Sequence, residues 1–226
     1  MPLMYSFSRS ALGAFVLSCL LSGLAPQASA RPPEGGYFAL GLGYGAASGD
    51  RGVALKTRVG VIANIPDQDE WVRTDFGSGL AIDLRFGYLI GPVAPEISLF
   101  GHGSFDAENG AALPTLQLRF HPLMLVDSLA DSKFDASVFF GAGYAIGGYH
   151  HEGDDDGKGW EGIALTFGAG FTYEMSPKIH LGLDLKFAMP MYSKWIYSYD
   201  DDIDFEPEET PSTLVIAPSL TLQAFF

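Results

Sequence analysis

From residue 37 onward the apolar positions of this chain recur every second residue, the period of a strand with two unlike faces. Phe38, Leu40, Leu42 and Tyr44 alternate with Ala39, Gly41 and Gly43. Leu80, Ile82, Leu84, Phe86 and Tyr88 alternate with Ala81, Asp83, Arg85 and Gly87. A weaker third segment sets Ile97 and Leu99 against Glu96, Ser98, Phe100 and His102, and a fourth sets Leu116, Leu118 and Phe120 against Thr115, Gln117, Arg119 and His121. The same alternation returns over 137–147, 163–174, 179–189 and 214–226. Eight strands are predicted.

Period two also describes a soluble sandwich, so the second face must decide. The water-facing side of a sandwich normally carries many Lys, Glu and Thr residues. Here that face is dominated by Gly, Ala, Ser and Thr, with charges of both signs: Asp83, Glu96, Glu174 and Asp184 against Arg85, Arg119 and Lys186. Small side chains suit the crowded inside of an eight-stranded barrel. A nearly balanced set of charges can pair there as a polar network. The large apolar face would then meet lipid, where closure leaves no strand edge unpaired. The expected fold is all-β, an eight-stranded antiparallel transmembrane up-and-down β-barrel. Partial alternation over 53–62 keeps ten strands as the alternative.

The connections alternate in size. Those at 90–93 and 176–178 are short, with a longer one around 127–133, whereas 47–78, 106–111, 150–160 and 197–212 are mostly longer and more polar. Short turns on one side and large loops on the other is the pattern of outer-membrane barrels, and an even strand number puts both termini on the short-turn, periplasmic side. Trp160, Tyr149, Tyr192 and Trp195 flank the large-loop side, where an interfacial aromatic belt is expected.

Composition agrees with this picture. The chain has 28 Gly, 17 Phe and 10 Tyr, a mean hydropathy of +0.16 and only 18% charged residues, against about 25% in soluble domains. With 47% hydrophobic residues it is not a disordered chain. A net charge of −14 and a pI near 4.5 argue against nucleic acid as a partner. Residues 1–30 read as a cleaved secretory signal: Arg9, an apolar core over 11–24, and the small-x-small site Ala28-Ser29-Ala30. The barrel domain would then be 31–226, without cysteine and so without disulfides. Val16-Leu17-Ser18-Cys19 offers a second reading as a lipobox, from which Leu17 departs.

The alternating segments, the signal, and Leu220, Leu222 and Phe226 at the C-terminus resemble bacterial outer-membrane β-barrels. The resemblance implies that Leu220, Leu222 and Phe226 form the signal read by the barrel-assembly machinery, although Ala224 is smaller than the residue usual there. The architecture is similar to the small class of the OmpA membrane domain, OmpX and OmpW. It implies residence in the outer membrane among lipid and lipopolysaccharide.

Candidate chemistry is sparse. Glu152, Asp154 and Asp156, followed by Gly157, have the spacing of the first half of a calcium loop, but Ile163 stands where the bidentate glutamate belongs. A solvated acidic loop is the other reading. A second acidic run, Asp200 to Glu209, contains no basic residue, and divalent cations bridging it to lipopolysaccharide would relieve its repulsion. His102-x-Ser104, with Glu108 nearby, resembles the His-x-Ser pair of lipid A deacylases. Its parity turns it inward, however, and Phe105 replaces the usual asparagine. His121 and His180 read as hydrogen-bonding interior residues. No cofactor is expected. The leading reading is a non-enzymatic barrel displaying acidic loops, for envelope integrity, adhesion or ligand contact. The alternatives are a narrow OmpW-like conduit for small or apolar solutes and a lipid A-modifying hydrolase.

Overall fold

The structure, a computed structural model, describes residues 34–49, 51–53, 55–57, 72–73, 77–105, 109–129, 132–149, 158–197, 204–207, 210 and 212–226. Among them, eight long strands form the wall: β1 (Gly35–Gly49), β2 (Ser78–Leu89), β3 (Val93–Ser104), β4 (Asn109–Phe120), β5 (Phe134–Tyr149), β6 (Lys158–Ser176), β7 (Ile179–Tyr197) and β8 (Thr213–Phe225). Each pairs antiparallel with its neighbours in sequence, and β8 returns to β1 from Tyr37↔Phe225 to Gly49↔Thr213. The sheet is therefore a closed up-and-down barrel.

The periodicity of the sequence becomes a periodicity of exposure. On β7, Leu181, Leu183 and Leu185 are 37%, 55% and 41% exposed, while His180, Asp184 and Lys186 between them are buried. The other strands behave alike: Phe86, Ile97, Leu116, Phe140 and Leu220 point outward, and Arg85, Glu96, Gln117, Phe139 and Thr221 point inward. Leu220, Leu222 and Phe226 share the outer face. This inverts the usual arrangement of a soluble protein, in which charge lies outside.

β2 and β3 are joined through Gly91 and Pro92, with Ile90 and Val93 exchanging both backbone hydrogen bonds. Gly91 has φ +53°, the left-handed conformation that a primed hairpin turn needs at its first position. β6 and β7 are joined by Pro177 and Lys178. The third connection on this side, between β4 and β5, instead holds two short 3₁₀ turns, Pro122–Leu125 and Asp127–Leu129. The start of β1 and the end of β8 lie here too, beside the short turns.

The ten-strand alternative is not what forms. Leu55–Thr57 and Asp204–Pro207 pair with each other, and Asp204–Pro207 pairs with the far end of β7. They lengthen the sheet beyond the rim and are not staves. The physical reason is that β1 already has β2 on one edge and β8 on the other, so the closed ring offers no edge to a ninth strand.

Candidate functional site

The interior is stratified along the barrel axis, as the order of residues on each strand shows. Tyr37 at the start of β1, Leu89 at the end of β2, Ala94 at the start of β3 and Phe225 at the end of β8 form an apolar cluster at the short-turn mouth. Toward the large loops a second cluster gathers Phe100, Leu113, Trp160, Tyr192 and Val215 with several alanines. The charged residues occupy the strand segments between these layers.

That middle layer is knitted by bonds between neighbouring strands and by others between strands that are not neighbours, and the latter run across the bore. Lys186 of β7 reaches Asp83 of β2 at 2.7 Å and donates to Ser98 Oγ of β3 at 3.0 Å. Ser98 in turn donates to Asp83 Oδ1 at 2.7 Å. Arg85 of β2 meets Asp184 of β7 at 2.7 Å. Arg119 of β4 donates through Nε to Glu96 at 2.9 Å, through Nη1 to Ser137 at 2.8 Å, and lies 3.4 Å from Asp184. Thr221 donates to Asp184 Oδ2 at 3.1 Å, and the Tyr37 hydroxyl donates to Glu96. Three carboxylates, Asp83, Glu96 and Asp184, therefore face three cations, Arg85, Arg119 and Lys186. All six are buried. Desolvating an ion costs several kcal/mol, which such pairing offsets only when further lone pairs and protons also find partners. The hydroxyls of Tyr37, Ser98, Ser137 and Thr221 add such partners. Phe139 contributes its ring face, with Arg119 4.4 Å and Lys186 5.6 Å from its centroid.

Glu174 stands apart from the other charged residues of the narrow face. It is half-buried near the short-turn end, opposite His180 in the β6–β7 register, and none of the bonds above includes it. At the same end His121 pairs through Nδ1 with Asp135, and the His180 ring packs 4.9 Å from that of Phe225. His102 is buried, with Nε2 3.1 Å from the Gly77 carbonyl oxygen. Glu108, the calcium-like residues Glu152, Asp154 and Asp156, and residues 1–33 lie outside the described residues. Among the described residues no group of three or more His, Cys, Asp and Glu is placed to hold a metal ion.

One expectation is corrected. Trp160 and Tyr192 do not belong to an outward aromatic belt: they are 2% and 0% exposed, and their rings meet at 5.9 Å inside the bore. Parity explains this, because Trp160 lies two residues from Gly162 and Tyr192 lies an even number from Lys186, on the inward row. The inner face, dominated by small residues, also carries large ones. Tyr37, Phe100, Leu113 and Phe139 are buried on it, and the Phe139 ring and the Tyr37 hydroxyl touch the charges themselves. Tyr37 and Asp135 were legible by the same parity, since Tyr37 alternates with Ala39 and Gly41, and Asp135 with Ser137.

No protein-family model and no curated protein matches the chain. Among solved structures it is similar to Neisserial surface protein A, with a TM-score of 0.54 and 11% identity over 84% of this chain and 97% of that one. The outer membrane protein OprG from Pseudomonas aeruginosa also matches, with a TM-score of 0.45 and 15% identity over 83% of this chain and 96% of that one. A major outer membrane protein from Thermus thermophilus matches with a TM-score of 0.43 and 12% identity over 83% and 99%. The likeness to the first is one of fold. A closed ring of eight antiparallel strands, apolar outside and charged within, thus gives this chain the fold of the small bacterial outer-membrane β-barrels.

Proposed function

We propose that this protein resides in the outer membrane as a closed, non-enzymatic barrel, and that its work is carried by the loops at its wide end. The observation that carries this reading is the cross-bore network. Side chains bonded from β7 to β2 and β3, and from β4 to β7, occupy the cross-section that a solute would need. Apolar clusters stand on both sides of it, Tyr37, Leu89, Ala94 and Phe225 at the short-turn mouth and Phe100, Leu113, Trp160, Tyr192 and Val215 toward the large loops, and narrow the path further. The exposed Leu, Ile and Phe rows support residence in lipid, which takes such a surface without cost. Against catalysis stands the placement of His102, turned inward and held against a backbone carbonyl, away from any lipid it would have to attack.

The acidic runs of the large loops fit this role. Asp154, Asp155 and Asp156 with Glu152, and the run from Asp200 to Glu209, would draw divalent cations between the protein and the phosphates of lipopolysaccharide. The leader at 1–30 and the C-terminal Leu220, Leu222 and Phe226 are the export and assembly signals this reading requires.

Single-channel recording in planar bilayers tests it. Purified protein whose unboiled gel band migrates faster than the boiled one, the mark of a folded barrel, is expected to leave the bilayer silent. Steady conductance steps scaling with protein added would replace this reading with that of a conduit. Recovery of the protein from the soluble periplasm, with no mobility shift on boiling, would remove the membrane altogether.

A further inference from the structure

The β4–β5 connection is unlike the other two on its side. Two residues suffice to join β6 to β7, and a tight turn joins β2 to β3, yet here the chain runs from His121 to Lys133 through Pro122-Leu123-Met124-Leu125-Val126-Asp127-Ser128-Leu129. Loops in water are normally polar and irregular, whereas this one opens on an apolar run, Pro122 to Val126, and is ordered by i→i+3 hydrogen bonds from Met124, Val126, Leu129 and Ser132, with Asp127 and Ser128 exposed beside Leu129. It is also tied down. His121 N–H donates to the Pro92 carbonyl at 2.8 Å, Glu174 N–H donates to the Lys133 carbonyl at 2.9 Å, and Met124 packs on the Tyr37–Leu89–Ala94–Phe225 cluster at the barrel mouth. Holding Met124 inward leaves the next residues outward: Leu125, Val126 and Leu129 are 63%, 41% and 41% exposed.

We infer that this segment is a membrane-surface foot, laying Leu125, Val126 and Leu129 into the phospholipid leaflet on the short-turn side. The inference rests on the membrane reading above. Lipid is the occupant because the patch continues the barrel's apolar outer surface. Its flanking residues Phe120 and Phe134 end β4 and begin β5 on the outward row, Phe134 packs 5.0 Å from Tyr173, and Val138, Phe171 and Met175 extend the same face at 51%, 63% and 63% exposure. Short apolar segments of this kind enter the boundary between headgroups and acyl chains to roughly 5–10 Å. The foot would fix the barrel's depth on one side and keep Met124 seated in its mouth.

Cysteine labelling tests this cleanly, because Cys19 is the only cysteine of the chain. In a Cys19→Ser background, Leu125→Cys and Leu129→Cys each carry an environment-sensitive fluorophore. Leu116→Cys, on the outer face of β4 and 70% exposed, is the reference. The barrels are folded into phosphatidylethanolamine–phosphatidylglycerol vesicles, with folding checked by the gel mobility shift. The expected result is a several-fold loss of emission at 125 and 129 when nitroxide-labelled phospholipid is included, and little loss with aqueous iodide. Quenching by iodide at 125 and 129, with lipid quenching at 116 intact, overturns the foot and leaves the barrel in its membrane. Protection from both quenchers that grows with protein density overturns it in favour of a second copy of the chain. Iodide quenching at all three positions overturns the membrane reading itself.

Discussion

Leu183 and Asp184 are consecutive residues of β7, yet they live in opposite surroundings. Leu183 is half exposed among Phe171 and Leu220 on the outer face, whereas Asp184 is buried in the bore, bonded to Arg85, Arg119 and Thr221. Both faces are held to the same wall by the same ladder of backbone hydrogen bonds. They differ in what each side chain would lose by changing. Outside, the demand is only that a side chain be apolar, so Leu, Ile, Phe and Val are used almost interchangeably. Inside, each of the six network charges has a named partner on a strand that is not its neighbour, and removing one leaves the others buried without it. Specificity in this molecule resides within, and the outer face asks only for apolar character.

The sharpest way to break that contrast is to remove Asp184, on which both arginines of the network converge. Asp184→Ala leaves Arg85 and Arg119 short of their shared carboxylate, and an uncompensated buried charge costs about 3–5 kcal/mol. Urea unfolding of the barrel in lipid, followed by the loss of the fast gel band, should show a large fall in the midpoint. An unchanged midpoint would mean that Asp83 and Glu96, which also face the two arginines, suffice to hold them. One residue away, Leu183→Lys tests the outer face. It should cost about 2–4 kcal/mol near the bilayer midplane and little in a soluble protein, so indifference in the same assay would count against a lipid environment.

A backbone effect should be smaller. At Gly143 an added Cβ would lie 2.6 Å from Thr115 Cα of the paired strand, so Gly143→Ala should force β4 and β5 apart and cost about 1–3 kcal/mol. A neutral result by the same unfolding measurement would show that the wall yields at that point. Smallest of all is Glu174→Gln. Half-buried and outside the cross-bore bonds, it should move stability by less than about 0.5 kcal/mol. Equal effects of Glu174→Gln and Asp184→Ala would erase the distinction between membership of the narrow face and membership of the network.

Much of the architecture can be read from alternation, because a strand sends successive side chains to opposite sides and a single misplaced residue would invert every assignment after it. Leu80 to Tyr88 against Ala81 to Gly87 suffices to separate the faces of β2, and the alternating short and long connections suggest antiparallel neighbours. What alternation conveys is a side, never a height or a partner. Trp160 and Tyr192 show the limit. Their aromatic character suggests an interface, their parity places them inside, and only the closed wall shows that they cap the charged layer. Glu174 shows the same limit from the other direction, for it shares a parity with the network but not its depth. The likeness to Neisserial surface protein A supports the path of the chain without adding a partner to any side chain.

The chain by itself determined the strands, their two faces and the near balance of charge on the narrow one, since these depend on residues adjacent in sequence. Closure decided the rest. When β8 met β1, residues as distant in sequence as Asp83 and Lys186 came within bonding distance, and Tyr37 reached Glu96. The same geometry seated Met124 in the mouth and left Leu125, Val126 and Leu129 outside it. A pattern with a period of two residues carries no record of which strands face each other across a ring, because that depends on tilt and stagger of all eight strands together.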